Sequence, residues 1–172
     1  KIAAVAGVVA AVLLAAALIG ATAIVFAPLP SRRGQVVIPG LFAPVEARFD
    51  RQGVPHVRGV LEVDTWRALG FLHAADRLFQ MELRRRAAHG RLAEIFGQAA
   101  ISMDRAARIS GYSALARRDW ESLTDHERSA LEAYADGVNA FISDHTLPLE
   151  LRALSLIPEP WTPIDSLAFA RL

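Results

Sequence analysis

Hydrophobic and polar positions follow three regimes along this chain. From Ile2 to Phe26 no charged residue interrupts a run of Ala, Val, Leu and Ile. At about 1.5 Å per residue, roughly 25 helical residues suffice to cross a hydrocarbon layer of about 30 Å, so the run predicts a transmembrane helix. Pro28, Pro30, Arg32 and Arg33 end it, because proline cannot continue the hydrogen-bond ladder and guanidinium groups resist lipid. A cleavable signal peptide is the competing reading, with Ala21-Thr22-Ala23 as a small-residue cleavage site, although such apolar regions usually span only about 7 to 15 residues. Either reading directs the remainder to the membrane or beyond it. The expectation is therefore an extracytoplasmic body on a membrane anchor, residues 1–27, with membrane lipid as a partner through residues 2–27.

In the second regime the pattern is broken or alternating. Residues 28–44 hold four prolines and two glycines, the density of breakers expected of a linker, and Val36-Val37-Ile38 suggests a short strand within it. Val45 to Phe49 alternates apolar with polar. Asp50-Arg51-Gln52-Gly53 supplies turn chemistry, and Val54-Pro55-His56-Val57 follows, so the segment predicts a β-hairpin with Pro55 on an edge or a bulge.

From Asp64 the period becomes helical. Asp64 is the expected N-cap and His89-Gly90 the stop. Leu69, Leu72, Asp76, Phe79, Leu83 and Ala87 share one stripe, while Phe71, Ala75, Leu78 and Met81 form an adjacent one, which predicts a central strut buried on most sides. A short helix from Leu92 to Phe96 closes at Gly97, and a further helical stretch from Met103 to Trp120 is interrupted near Gly111. Thr124-Asp125-His126-Glu127 has the form of a capping box ahead of the apolar spacing Ala130 to Ile142. Pro158 to Pro163 cannot be helical within itself, and Ile164 starts another helix. The chain opens at Lys1 without Met and stops at Leu172 within an apolar run, so both ends read as truncations.

Composition changes this picture little. The apolar fraction of 53% owes its excess over a globular mean to residues 2–27. Lys1 apart, 18 Arg are interspersed among 18 Asp and Glu, a balance that argues against a nucleic-acid partner. Cysteine is absent, which excludes disulfides and thiolate metal sites.

The search for chemistry is short. His56, His73, His89, His126 and His145 contain no pair at the spacing two ligands on one helix face require. No Gly-rich phosphate loop and no Gly-x-Ser-x-Gly elbow occurs. Asp76 interrupts an apolar stripe where an unpaired carboxylate would carry several kcal/mol of desolvation cost, so a partner is required. His73, Gln80, a backbone N–H or a distant Arg could serve, and a buried structural network is preferred to a catalytic acid. Glu82 with Arg86 reads as a solvated i, i+4 pair contributing about 0.3 to 0.5 kcal/mol. Arg84-Arg85-Arg86 reads as an anion patch or, more simply, as a helix end complementing its dipole.

Taken as a set, however, several blocks resemble the penicillin acylase family. They are Asp50 to Val57, Gly70 to Leu83 with its Asp76-Arg77-Leu78-Phe79-Gln80-Met81-Glu82 core, Arg85-Arg86 to Gly90-Arg91-Leu92-Ala93-Glu94, Tyr134 to Ile142, and Pro160-Trp161-Thr162-Pro163-Ile164-Asp165. The resemblance covers about residues 45–172, as the incomplete N-terminal part of a first (alpha) chain. It implies an α+β fold: a mostly helical segment with a β-hairpin, belonging to a four-layer αββα N-terminal-nucleophile hydrolase. It also implies a precursor that cuts itself to expose a Ser whose own α-amino group is the base, with a small N-acyl substrate and a downstream beta chain as partners. Asn139 is the sole Asn and Ala140 follows it, so the family's Ser-Asn start is absent from this stretch. Accordingly no catalytic, cofactor-binding or metal residue is assigned here; calcium belongs, if anywhere, to the full-length protein. A catalytically inactive, membrane-tethered interaction or assembly module is the alternative.

Overall fold

The structure, a computed structural model, describes residues 12–23 and 33–172. It is mostly helical with one two-stranded sheet. The expected membrane anchor is not supported. Residues 12–23 form helix α1 and are exposed, and among the described residues no helix is long and apolar enough to cross a membrane. The rest of the expected span lies outside the described residues. Membrane anchoring and the membrane-tethered location are corrected on this ground, and a lipid partner at residues 2–27 has no support among the described residues. Val36 to Ile38 is irregular rather than a strand, because no strand among the described residues pairs with it.

The hairpin forms as its alternation predicts. Strand β1 (Val45–Phe49) pairs antiparallel with β2 (Pro55–Gly59), with Val45 opposite Gly59 and Phe49 opposite Pro55. Asp50 organises the turn, its Oδ1 accepting from Gln52 N and Val54 N at 2.9 Å each. Those bonds, the one from Val54 foremost, hold its carboxyl below the usual range.

Helix α2 (Glu62–His89) is the strut. It bends at Arg77 (φ −138°, ψ 21°) and ends at Gly90, whose left-handed φ of 64° lets the N–H groups of Gly90 and Arg91 return to Ala87 O and Arg86 O. After it come α3 (Ala93–Phe96), a 3-10 turn (Gly97–Ala100), α4 (Ile101–Ser110), α5 (Tyr112–Ser122), α6 (Asp125–Asp144), α7 (Leu149–Ala153) and α8 (Pro163–Arg171). Gly111 separates α4 from α5 as expected. Both bonds of the Thr124/Glu127 capping box are present. A second box, Thr162 with Asp165, starts α8 behind Pro163.

The core is the crossing of α2 with α6. Phe71, Ala74, Leu78 and Met81 meet Ala135, Val138 and Phe141, closed off by Leu151 and Trp161. Of the two predicted stripes, the one through Phe71, Leu78 and Met81 is the buried one; Leu69, Leu72, Phe79 and Leu83 are only half-buried. Two glycines set the closeness of the crossing. A Cβ on Gly70 would stand 2.0 Å from Tyr134 O, and one on Gly137 would stand 1.9 Å from Arg67 O.

Candidate functional site

Polar side chains that interrupt apolar helix faces must find partners or carry a desolvation cost, so the buried ones mark where the chain is specifically built. Asp76, the expected buried carboxylate, is not among them. The bend at Arg77 accompanies an exposed ion pair, Arg77 Nε to Asp76 Oδ2 at 2.8 Å, with the Asp76 side chain half exposed. The acid actually buried is Glu82, at 1% exposure, which corrects its reading as a solvated surface pair.

Glu82 lies between two arginines of its own helix. Arg85 Nη2 donates to Oε2 at 2.5 Å and Arg86 Nε to Oε1 at 2.6 Å, so the i, i+3 and i, i+4 positions fork onto one carboxylate. Arg85 and Arg86 are themselves buried, which makes them neither an anion patch nor a dipole-complementing helix end. Arg86 continues to Glu94, while Arg85 Nη1 donates to the Glu159 carbonyl at 2.9 Å and its guanidinium lies 5.6 Å from the Trp161 ring. Arg91 closes the outer side by donating to both Glu94 and Glu159. Its bonds hold both carboxyls below their ordinary range, and theirs raise Arg91. The network thus stitches the end of α2 to α3 and to the Pro158–Pro163 segment. Asn139 on α6 holds that segment from the other side, donating from Nδ2 to Trp161 O at 2.9 Å and accepting from Trp161 N at 2.6 Å.

Further acids each bind backbone. Asp64 is no N-cap: α2 begins at Glu62, and the fully buried Asp64 carboxylate accepts from Phe42 N at 3.0 Å and Ala43 N at 2.9 Å. Arg67 secures the same linker, donating to Gly40 O and to Asp136. Asp104 likewise accepts from Leu92 N and Ala93 N at 2.8 Å each, at the start of α3. Neither clamp was visible in the sequence, because Asp64 has the form of an N-cap and Asp104 that of an ordinary surface acid, and their backbone partners lie 11 to 22 positions away.

One constellation has the outward form of a nucleophilic relay. Ser113 Oγ lies 2.6 Å from His89 Nδ1, and His89 Nε2 lies 2.8 Å from Asp165 Oδ1. Its acid is also committed elsewhere. Asp165 is the acid of the α8 capping box, accepting from Thr162 N and Oγ1 at 2.8 Å, and Ser113 sits in the first turn of α5. Burial pushes Asp165 up, but the bonds from His89 and Thr162 and the charge of Arg85 together hold it below the usual carboxylate range. The three side chains tie α2, α5 and α8 together, and structure is what they serve.

A concave surface lies beside α8. Met81, Leu131, Tyr134 and Trp161 form a groove of about 650 Å³ between α2, α6 and α8, flanked by Trp66 and Phe169. Its polar groups are already engaged. His73 Nδ1 meets the Tyr134 hydroxyl at 3.0 Å, Trp161 Nε1 donates to Ser166, Trp66 Nε1 donates to Glu62, and Glu127 closes its capping box. Burial lowers His73 against the pull of Asp76, and pushes Tyr134 up to about 12. Among the described residues no three His, Asp or Glu side chains converge on a site for a metal ion.

A helical strut crossed by α6, carrying a hairpin before it and a forked buried acid near its end, is the class of helical unit that these elements define. The chain belongs to the penicillin amidase family, whose model matches residues 44–172. It is 48% identical over 146 residues to penicillin acylase 2 proenzyme of Pseudomonas sp. (strain SE83), covering 84% of this chain and 19% of that protein. It is 37% identical over 147 residues to the acyl-homoserine lactone acylase QuiP of Pseudomonas aeruginosa, covering 84% of this chain and 17% of that protein. The solved thermostable penicillin G acylase of Alcaligenes faecalis superposes with a TM-score of 0.67 at 31% identity, over 75% of this chain and 71% of that one. The chain therefore spans about a fifth of the length of the curated relatives it matches.

Proposed function

We propose that this chain is the N-terminal part of a precursor whose mature form hydrolyses linear N-acyl amides to a carboxylic acid and an amine. The observation that carries the reading is the 48% identity to a penicillin acylase proenzyme over 146 residues. Relatives named for a penicillin and for an acyl-homoserine lactone point the same way, since both compounds carry an acyl group on nitrogen through a linear amide. The nucleophile in this reading is a Ser that opens a second, downstream chain. Its own α-amino group, with an ordinary pKa of about 7.7 to 8.0, takes the hydroxyl proton as the Ser attacks the carbonyl. Backbone or side-chain donors stabilise the tetrahedral oxyanion, the amine leaves with the proton, and water then releases the acid from the acyl-enzyme.

The residues described above have a different task in this reading. Glu82, Arg85, Arg86 and Asn139 fix α2, α6 and the Pro-Trp segment as outer helices of a four-layer αββα body. The test is direct. Full-length precursor incubated with an N-acyl amide should release amine and acid in equal amounts, and Ser→Ala at the start of the second chain should abolish the release. Amine release that survives this substitution, or none from the unmodified protein, refutes the proposal; the latter favours a catalytically inactive assembly module.

A further inference from the structure

A further concavity, of about 500 Å³, lies between α3 and α4 and is lined by Ala93, Ile101, Asp104, Arg105, Arg108 and Ile109. Ile101, Arg105, Arg108 and Ile109 are spaced i, i+4, i+7 and i+8 along α4, so they share one stripe. A stripe turned to solvent is ordinarily polar, yet Ile101 and Ile109 are 54% and 80% exposed, with the two arginines set between them. The charge in the cavity is also unbalanced. Asp104, at 5% exposure, uses one carboxylate oxygen on Leu92 N and the other on Ala93 N. Arg108 donates from Nε and Nη2 to the Gly90 carbonyl at 3.0 and 2.8 Å, a neutral acceptor that leaves its charge uncompensated. Arg105 is exposed and, among the described residues, has no hydrogen-bond or ion-pair partner. Two guanidinium groups thus stand against one committed carboxylate. We propose that this cavity binds an amphiphilic monocarboxylate, its carboxylate on Arg105 with Arg108 adding charge, and its alkyl chain along Ile101, Ile109 and Ala93.

The lining selects this class of ligand. A guanidinium presents paired donors in the plane and spacing of a carboxylate, and the volume falls within the roughly 300 to 1,000 Å³ usual for small-molecule sites. The isoleucines and Ala93 offer nothing to an inorganic anion but remove methylene groups from water. A neutral alkyl chain gains nothing from Arg105. A metal ion is disfavoured, because both oxygens of the only acid in the lining accept from backbone N–H groups and both arginines repel a cation. A nucleotide requires a ring to stack on, and no aromatic side chain lines the cavity. The site stands independently of the hydrolase reading. Only its meaning as product feedback rests on that reading, in which the released acid belongs to this ligand class.

Octanoate carrying a diazirine on its chain, irradiated with the full-length protein and followed by peptide mass spectrometry, tests the assignment. Adducts should fall between residues 93 and 109. Unlabelled octanoate should suppress them, whereas octylamine, octanol and inorganic phosphate at the same concentration should not. Arg105→Lys should retain the labelling, Arg105→Gln should raise the concentration for half-labelling roughly three- to tenfold, and Arg105→Glu should abolish it. Arg105 is exposed, so α4 keeps its packing in these variants, which hydrogen exchange of the α4 peptide checks. Ile109→Glu, at 80% exposure, places a like charge beside the carboxylate and should abolish labelling as well. The proposal is overturned by no adduct at residues 93–109, by labelling undiminished in Arg105→Glu, or by suppression with octylamine equal to that with octanoate. Labelling obtained only from phosphatidylglycerol vesicles with diazirine-bearing chains would also overturn it, in favour of a lipid surface. Amine release measured on the same samples separates the two claims: adducts at residues 93–109 without amine release retain the site and reject the hydrolase, and amine release without those adducts does the reverse.

Discussion

Replacing Gly137 with Ala sets helix propensity against packing, and the two give opposite signs. Propensity alone favours Ala inside α6 by up to about 1 kcal/mol. The added Cβ, however, would meet Arg67 O at 1.9 Å, Arg67 C at 2.8 Å and Phe71 N at 2.9 Å, all backbone atoms of α2 that cannot rotate away. Restoring ordinary contact at 3.4 Å means parting the helices by about 1.5 Å. A gap of even 0.5 to 1 Å forfeits roughly a quarter to a half of each dispersion contact, and the seam between Phe71, Ala74 and Leu78 on one side and Ala135, Val138 and Phe141 on the other would open together. Overpacking of this kind typically costs about 1 to 3 kcal/mol and loss of several core contacts adds to it, so a net destabilisation of about 2 to 4 kcal/mol follows. Hydrogen exchange of α2 and α6 peptides in the full-length protein should accelerate roughly thirty- to several-hundred-fold. Gly20→Ala, with nothing within 4 Å of its Cβ, is the control and should not destabilise. Exchange in Gly137→Ala equal to or slower than wild type would refute the close crossing.

Three further expectations concern the buried acids. Glu82→Gln leaves Arg85 and Arg86 buried without their shared counter-charge and should cost about 3 to 5 kcal/mol, visible as lost soluble yield and faster exchange around residues 82–94. Asp64→Ala strands the N–H groups of Phe42 and Ala43, costing about 1 to 3 kcal/mol locally, and should make residues 40–44 the first site of limited proteolysis. Asp165 has a folded pKa below its ordinary value of about 3.9, so its stabilisation is present above that pH and is lost as pH falls through the folded value. Exchange in α8 should therefore rise in an acid titration below about pH 4, and Asp165→Asn should flatten that rise.

Local chemistry was the legible part of this fold. The hairpin around Asp50, the Gly90 stop, the break at Gly111 and the Thr124/Glu127 box each depend on a few adjacent residues whose backbone preference is strong, and each forms. What depends on distant partners was not legible. Period alone could not say which of two apolar stripes on α2 would meet α6, because that choice is made by Gly70 and Gly137, 67 positions apart in the chain. The same ambiguity exchanged Asp76 for Glu82 as the buried acid, since the buried face follows Phe71, Leu78 and Met81 on to Glu82. The Thr162/Asp165 box was hidden behind Pro163, whose own turn chemistry dominates that stretch of sequence. Of the candidate site, the sequence carried the family blocks but not the groove, which exists only once α8 packs beside α2 and α6.

The central claim is that these helices belong to a precursor whose chemistry resides on the first residue of a second chain. Intact-mass and N-terminal sequencing of the purified mature protein, before and after brief exposure to a slowly turned-over N-acyl amide, measure it most directly. The account predicts two polypeptides, the second beginning with Ser and gaining the acyl mass on that residue. A single uncut polypeptide, or an acyl adduct on any other side chain, would contradict it.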